Sequence, residues 1–224
     1  RSLPEELCKV NVTMGYPIKN TLAYSLIEIL VSLQTHCRAK DEVTTFYRKD
    51  VAQLLSHPYI TDICGDVARE KIKEIATKRV IMVEDRLLHE AIKDKNYGTT
   101  AEIERAKSIL SKLFVDAKAI ELAQTDGEQE CGWKKLAHYI VDVLNTISAL
   151  QDFNEFDSDN YNNEHRLLVA NEITKLVNLI EACKIPLSTE IFVSLLRRHL
   201  QTISIPYEGK PLDGLQILGI LETR

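Results

Sequence analysis

Trp133, Leu136, Ile140, Val143, Leu144, Ile147 and Leu150 recur every three or four residues, as the buried stripe of an α-helix does. Leu167, Leu168, Ile173, Leu176, Val177 and Ile180 repeat that spacing soon after. Two such stripes in tandem commit the chain to helix packed on helix. The scarcity of punctuation agrees: 8 glycines and 6 prolines in 224 residues are too few to turn a many-stranded sandwich or barrel. Hydrophobic residues at 45% and charged residues at 27% are ordinary for a globular protein with a real core.

The rest of the chain yields shorter elements. Residues 9–13 alternate polar and apolar with β-branched side chains before Gly15 and Pro17, which predicts a strand and a turn. A helix opens at Asn20 or Thr21 and runs to about Ala39; Ile27 and Val31 widen its apolar face, so it should be deeply buried. Residues 44–47 read as a brief extended piece, and residues 50–56 as a short helix stopped by His57-Pro58, since proline disfavours helix in the residue before it. A helix is expected from about Thr61 to Lys78. The run 80–83 is strand-like but too short to be told from buried helix by periodicity. Residues 101–123 have helical character, and Asp126-Gly127 predicts a turn. The acidic, Asn-rich stretch 152–163 is expected to form an exposed loop that folds the two striped helices into an antiparallel pair.

Pro186 then introduces a helix capped by Ser188 or Thr189, with Ile191, Phe192, Leu195, Leu196 and Leu200 facing inward. Residues 203–205, a loop over 206–214 and a strand over 215–218 complete the chain. The order is strand, many helices, strand. The expected fold is mainly α, with short strands at both ends contributed to a neighbouring sheet. On this reading residues 1–19 and 206–224 belong to that neighbouring domain, and residues 20–205 form a helical insertion. With Arg1 in place of a methionine and a final strand-like run without a stop signal, both ends are expected to be cuts from a longer chain.

Charge and cysteines narrow the chemistry. A net charge of −5 gives no global attraction for a phosphate backbone. Locally, residues 69–79 hold five cations against two acids, whereas residues 152–164 hold five acids and no Lys or Arg. The five cysteines are widely spaced, with no C-x-x-C pair, and read as small buried thiols of a cytoplasmic protein. The longest apolar stretch, residues 22–33, carries Glu28 and is too short for a bilayer span, so no membrane partner is expected. There is no G-x-S-x-G elbow, no Walker A loop and no recognisable Cys/His signature. The six histidines show no metal-ligand spacing, and Asp152, Asp157 and Asp159 lack the glycine and distal glutamate of a calcium loop. No catalytic residue, metal site or cofactor is therefore assigned to this stretch. Two basic groups remain as candidate contacts to phosphate: Lys71, Lys73, Lys78 and Arg79 on one helix, and Arg197 and Arg198 on another.

Two end segments carry a family resemblance. Val10-Asn11-Val12-Thr13-Met14-Gly15-Tyr16-Pro17 resembles the strand and turn of AddB-type helicase–nuclease subunits, relatives of the UvrD and RecB superfamily 1 helicases. Leu212 through Arg224 is similar to the strand leading into helicase motif V of the same proteins, and residues 50–58 to the segment that opens their inserted domain. The resemblance implies a helical 2B-like insertion between motifs IV and V of a RecA-like 2A domain. Thr13, Met14 and Gly15 would mark the first junction, and Gly219, Glu222 and Arg224 the second. It also implies a parent that acts on DNA in double-strand-break repair, uses ATP and Mg if its motor is active, carries a PD-(D/E)XK nuclease domain, and pairs with a partner helicase–nuclease subunit. Two departures stand out. Residues 13–17 lack the arginine that motif IV usually presents, and only Arg224 stands where the lysine of motif V would fall. The rival expectation is a helical scaffold that binds protein and never meets DNA.

Overall fold

Leu22–His36 forms the helix (α1) around which the other elements are arranged. Thr21 starts it by accepting a hydrogen bond from the Tyr24 amide at 3.2 Å. Ala23, Leu26, Ile27, Leu30, Val31 and Leu33 are all nearly or fully buried, which makes α1 the centre of the core. The computed structural model describes residues 10–12, 15–40, 43–78, 80–90, 100–115, 132–150, 157–205 and 215–217. Among them the fold is mainly helical, with a few short strands.

α1 ends sooner than its apolar spacing predicts. Cys37 is extended, and the chain turns into a meander of β3 (Arg38–Lys40), β4 (Val43–Tyr47) and, later, β5 (Met82–Glu84). All three pair antiparallel in the order β3-β4-β5. The β-branched Val43, Thr44 and Thr45 favour this pairing, and it overrides the helical propensity of residues 38–39. Phe46 faces Val83 across the pair, and both are fully buried.

Next come α2 (Arg48–Leu55), α3 (Pro58–Cys64) and α4 (Asp66–Lys78). His57 caps α3, whose first position is Pro58, where the missing N–H costs nothing. The single helix expected from about Thr61 to Lys78 is in fact two. Gly65, at φ +51°, breaks it, although Ile63, Val67 and Ala68 keep the apolar rhythm running through the break.

The remaining helices are α5 (Asp85–Glu90), α6 (Thr100–Leu113), α7 (Gly132–Leu150), α8 (Asp157–Ala182) and α9 (Thr189–Thr202). Ser188 caps α9 through the Ile191 amide. α7 and α8 are antiparallel: Arg166, near the start of α8, donates to Ser148 near the end of α7, while Lys134 at the start of α7 meets Glu181 at the end of α8. The acidic stretch expected as a loop is helical from Asp157 onward. Three apolar side chains expected inside lie outside: Leu167, Ile191 and Leu195. Helix over 116–123 and the turn at 126–127 fall outside the described residues.

Two separate strand pairs join the first strands to the last. β1 (Val10–Val12) pairs parallel with β7 (Leu215–Ile217), with Asn11 opposite Gln216. β2 (Tyr16–Pro17) pairs antiparallel with β6 (Ser204–Ile205). A 3-10 turn, Ile18–Asn20, follows β2; Ile18 is fully buried in the helical core, and its amide donates to the Ile203 carbonyl at 3.1 Å. Among the described residues no helix is long and apolar enough to cross a membrane. Cys37 and Cys64 are buried as expected, whereas Cys183 is exposed. Burial pushes the Cys64 thiol up to about 12, so it is unreactive.

Candidate nucleic-acid interface

The first basic group lies on α4, whose apolar side, Val67, Ala68 and Ile75, packs inward. Lys71 is not a surface cation. It is 3% exposed, and its ammonium donates to the Leu87 carbonyl and to Glu74 Oε2 at 3.3 Å. A charge so placed ties α4 to α5 and cannot reach a backbone phosphate, which removes Lys71 from the candidate interface. Lys73 and Lys78 are exposed but each is held by an acid one turn earlier, Lys73 by Glu70 at 2.5 Å and Lys78 by Glu74 at 2.7 Å. The bond to Glu70 holds the Lys73 ammonium above its ordinary pKa, and the Lys78 contact draws the Glu74 carboxyl down. Arg79 falls outside the described residues.

The second group lies on α9. Arg197 is engaged: its Nε and Nη2 form a two-pronged bond to the Glu28 carboxylate on α1, at 2.8 to 3.0 Å. These bonds raise its pKa above the usual arginine value. Arg198, one residue on, is exposed. The two arginines are thus divided between a partly exposed tie from α9 to α1 and a solvent-facing charge, and they do not converge with α4. Nothing in the sequence links Glu28 to Arg197 across 169 positions.

Thr13, Met14, Gly219, Glu222 and Arg224 lie outside the described residues. Gly15 is described, and its neighbourhood explains the residue type: a Cβ there would lie 2.8 Å from Ser204 Oγ and 2.9 Å from Ser204 Cβ. The chain passes close against β6 at this point, and only a residue without a side chain fits.

One arrangement escaped the sequence. Asp50, 6% exposed, accepts from Ser32 Oγ at 3.1 Å and from His36 Nδ1–H at 2.6 Å. His36 borders a groove of about 620 Å³ between α1 and the starts of α7 and α9, with Leu136 and Val193 on the apolar side and Glu190 and Arg197 on the polar side. A carboxylate that fixes an imidazole is a feature of acid–base and metal sites. Here the pairing also gives the buried Asp50, in the first turn of α2, a hydrogen-bond donor. No group of three or more His, Cys, Asp or Glu able to hold a metal exists among the described residues. The only sequence signals were the four-residue step from Ser32 to His36 and an acid after the strand.

The fold thus defines a mainly α-helical body with its first and last strands paired side by side. Comparison of the chain with family models, with curated proteins and with solved structures gives no match in any of the three.

Proposed function

We propose that this chain is a helical insertion in a DNA helicase–nuclease subunit of the AddB type, working as a binding and conformational body without bond chemistry of its own. One observation carries the reading. β1 and β7, about 200 residues apart in sequence, pair in parallel on either side of the whole helical body. Parallel strands belong to larger sheets covered on both faces, and a lone pair is marginal in water. A helical body whose two connections leave through one parallel pair has the layout of an insertion between strands of a neighbouring sheet. By the resemblance at residues 10–17 and 212–224 that neighbour would be a RecA-like motor domain, with ATP and Mg bound there if the motor is active and a partner subunit beside it. The helical body would then contact DNA and swing relative to the motor.

The coding sequence on both sides tests this. A phosphate-binding loop upstream and a nuclease pattern of acids and a lysine downstream are expected. An open reading frame that began and ended close to this stretch would overturn the reading.

A second reading is favoured by the carboxylate partners of Lys73, Lys78 and Arg197 and by the burial of Lys71: a helical scaffold that binds protein and not DNA. Forked DNA separates the two. Binding that weakens steeply with salt supports the first, because phosphate contacts release counterions. Absence of binding at low salt leaves the scaffold.

A further inference from the structure

A group of cations without partners among the described residues lies elsewhere. Arg38 and Lys40 on β3, with Arg48 and Lys49 at the start of α2, make no ion pair and no side-chain hydrogen bond among the described residues, in contrast to Lys73, Lys78 and Arg197. Strand register places the first two. Phe46 and Val83 are opposite each other and fully buried, which defines the inner face of the β3-β4-β5 sheet. Side chains alternate between faces, so Arg38, Thr45 and Glu84 share the middle row of the outer face, with Lys40 and Val43 in the row on one side of it and Tyr47 and Met82 in the row on the other.

α2 adds a second, independent sign. Cations at the first positions of a helix oppose its positive end, and an acid is the usual choice. α4, α5 and α9 follow that choice with Asp66, Asp85 and Glu190 in their first turns. α2 opens with Arg48 and Lys49, its cap residue Tyr47 supplies no side-chain acceptor, and its one first-turn acid, Asp50, is turned inward to Ser32 and His36. Four cations of β3 and the α2 start are therefore left without a bonded counter-charge among the described residues. The face is not purely basic, since Glu84 stands on its far strand and Asp41 and Glu42 occur in the sequence between β3 and β4.

Tyr47 decides which polyanion fits. Its ring lies between the basic row and the α2 start, braced edge-on by His36 at 5.6 Å between centroids and 72°. A cationic surface with an aromatic ring among the charges is how proteins hold single-stranded nucleic acid: the cations follow the backbone and the ring stacks on an unpaired base. We infer that the outer face of the β3-β4-β5 sheet, with Arg38, Lys40, Arg48, Lys49 and Tyr47, is a binding surface for single-stranded nucleic acid. The inference rests on the DNA-binding form of the proposed function and moves its contact away from α4 and α9.

The test uses the full chain and a labelled oligothymidylate of about 20 nucleotides, followed by fluorescence anisotropy between roughly 50 and 200 mM salt. The double variants Arg38→Glu with Lys40→Glu, and Arg48→Glu with Lys49→Glu, should each weaken binding about tenfold or more. Each should also flatten the log–log salt dependence by about 1.4, since a single-strand contact contributes roughly 0.7. The Arg48/Lys49 reversal places acids at a helix start, so its thermal melt should not fall, and loss of binding there cannot be ascribed to unfolding. Tyr47→Leu should lower the preference for the single strand over a duplex of equal length by about fivefold or more. If the oligonucleotide binds but affinity is lost only in Lys73→Glu with Lys78→Glu, or in Arg198→Glu, the sheet face is wrong and the DNA-binding reading survives. If no oligonucleotide binds at low salt, both fall. If vesicles of phosphatidylserine bind through the same cations while the oligonucleotide does not, the surface is a membrane contact and the inference is overturned.

Discussion

His57 shows how one buried side chain makes stability depend on pH. Its Nδ1 accepts from the Tyr59 amide at 3.3 Å, so the ring hydrogen lies on Nε2, which donates to Ser25 Oγ at 2.9 Å. Ser25 passes its own hydrogen to the Leu22 carbonyl. Every polar atom of this neutral ring is satisfied, and an added proton would displace the Tyr59 amide. Burial, partly offset by the Leu22 backbone, accordingly lowers its pKa from 6.5 to about 4. Above about pH 6.5 neither the folded nor the unfolded chain protonates this ring. As pH falls from 6.5 towards 4 the unfolded chain takes up the proton and the folded one does not, so folding loses about 3 kcal/mol over that window from this residue. His57→Asn keeps an acceptor at the cap of α3 and does not titrate. Denaturant midpoints of the variant should therefore fall less between pH 7 and pH 4 than those of the parent chain; equal slopes would refute the assignment. Lys71 makes the complementary case. Lys71→Met keeps the stem but leaves the Leu87 carbonyl without its donor, for an expected loss of about 1–3 kcal/mol. A solvated phosphate-binding lysine would change stability by no more than roughly 0.5 kcal/mol, so a thermal melt distinguishes the two roles.

At the scale of elements, the sequence revealed what periodicity controls and hid what long-range contacts control. α1, α7, α8 and α9 were legible because their apolar stripes are long and packing follows them. The break at Gly65 was hidden because the stripe continues through it, and β3 was hidden because Arg38-Ala39-Lys40 carries neither β-branched residues nor an apolar alternation. The candidate site was less legible still. Whether a lysine is a free cation depends on its distance from a glutamate or on burial, and Lys71, Lys73 and Lys78 look alike in a sequence while occupying different surroundings. The neck formed by β2 and β6 supplies a prediction at this scale. Gly15→Ala would bring a methyl group to 2.9 Å from Ser204 Cβ, which no side-chain rotation relieves. β2 and β6 must then separate, at an expected cost of about 1–3 kcal/mol. Ser204→Gly in the same chain removes both clashing atoms and should restore most of that loss, a coupling that a double-mutant cycle measures directly. Additive effects of the two changes would show that the close approach is not the constraint.

For the whole molecule, the question is where cooperativity ends. Val143, Leu144 and Ile147 of α7, like Leu26, Leu30 and Leu33 of α1, are fully buried, and opening either helix exposes the centre of the core. Their amides should exchange with solvent only through near-global unfolding. The β1–β7 pair is three residues long on each side and has no other strand among the described residues. A parallel pair of that length adds little to the helical body, since such strands gain their stability from further strands and from helices laid over both faces. Hydrogen exchange on this chain should therefore show Val12 and Ile217 exchanging at least about a hundredfold faster than Val143 and Leu144, corresponding to a difference of roughly 3 kcal/mol in opening free energy. The insertion reading then requires something more. In a longer chain carrying the flanking sequence, the same two strands should become protected to a level near that of a sheet interior, while protection in α1 and α7 changes little. If the pair is already as protected as α7 in the present chain, it is a finished part of this fold and needs no neighbouring sheet. In that case the helical body is better understood as a self-contained binding module.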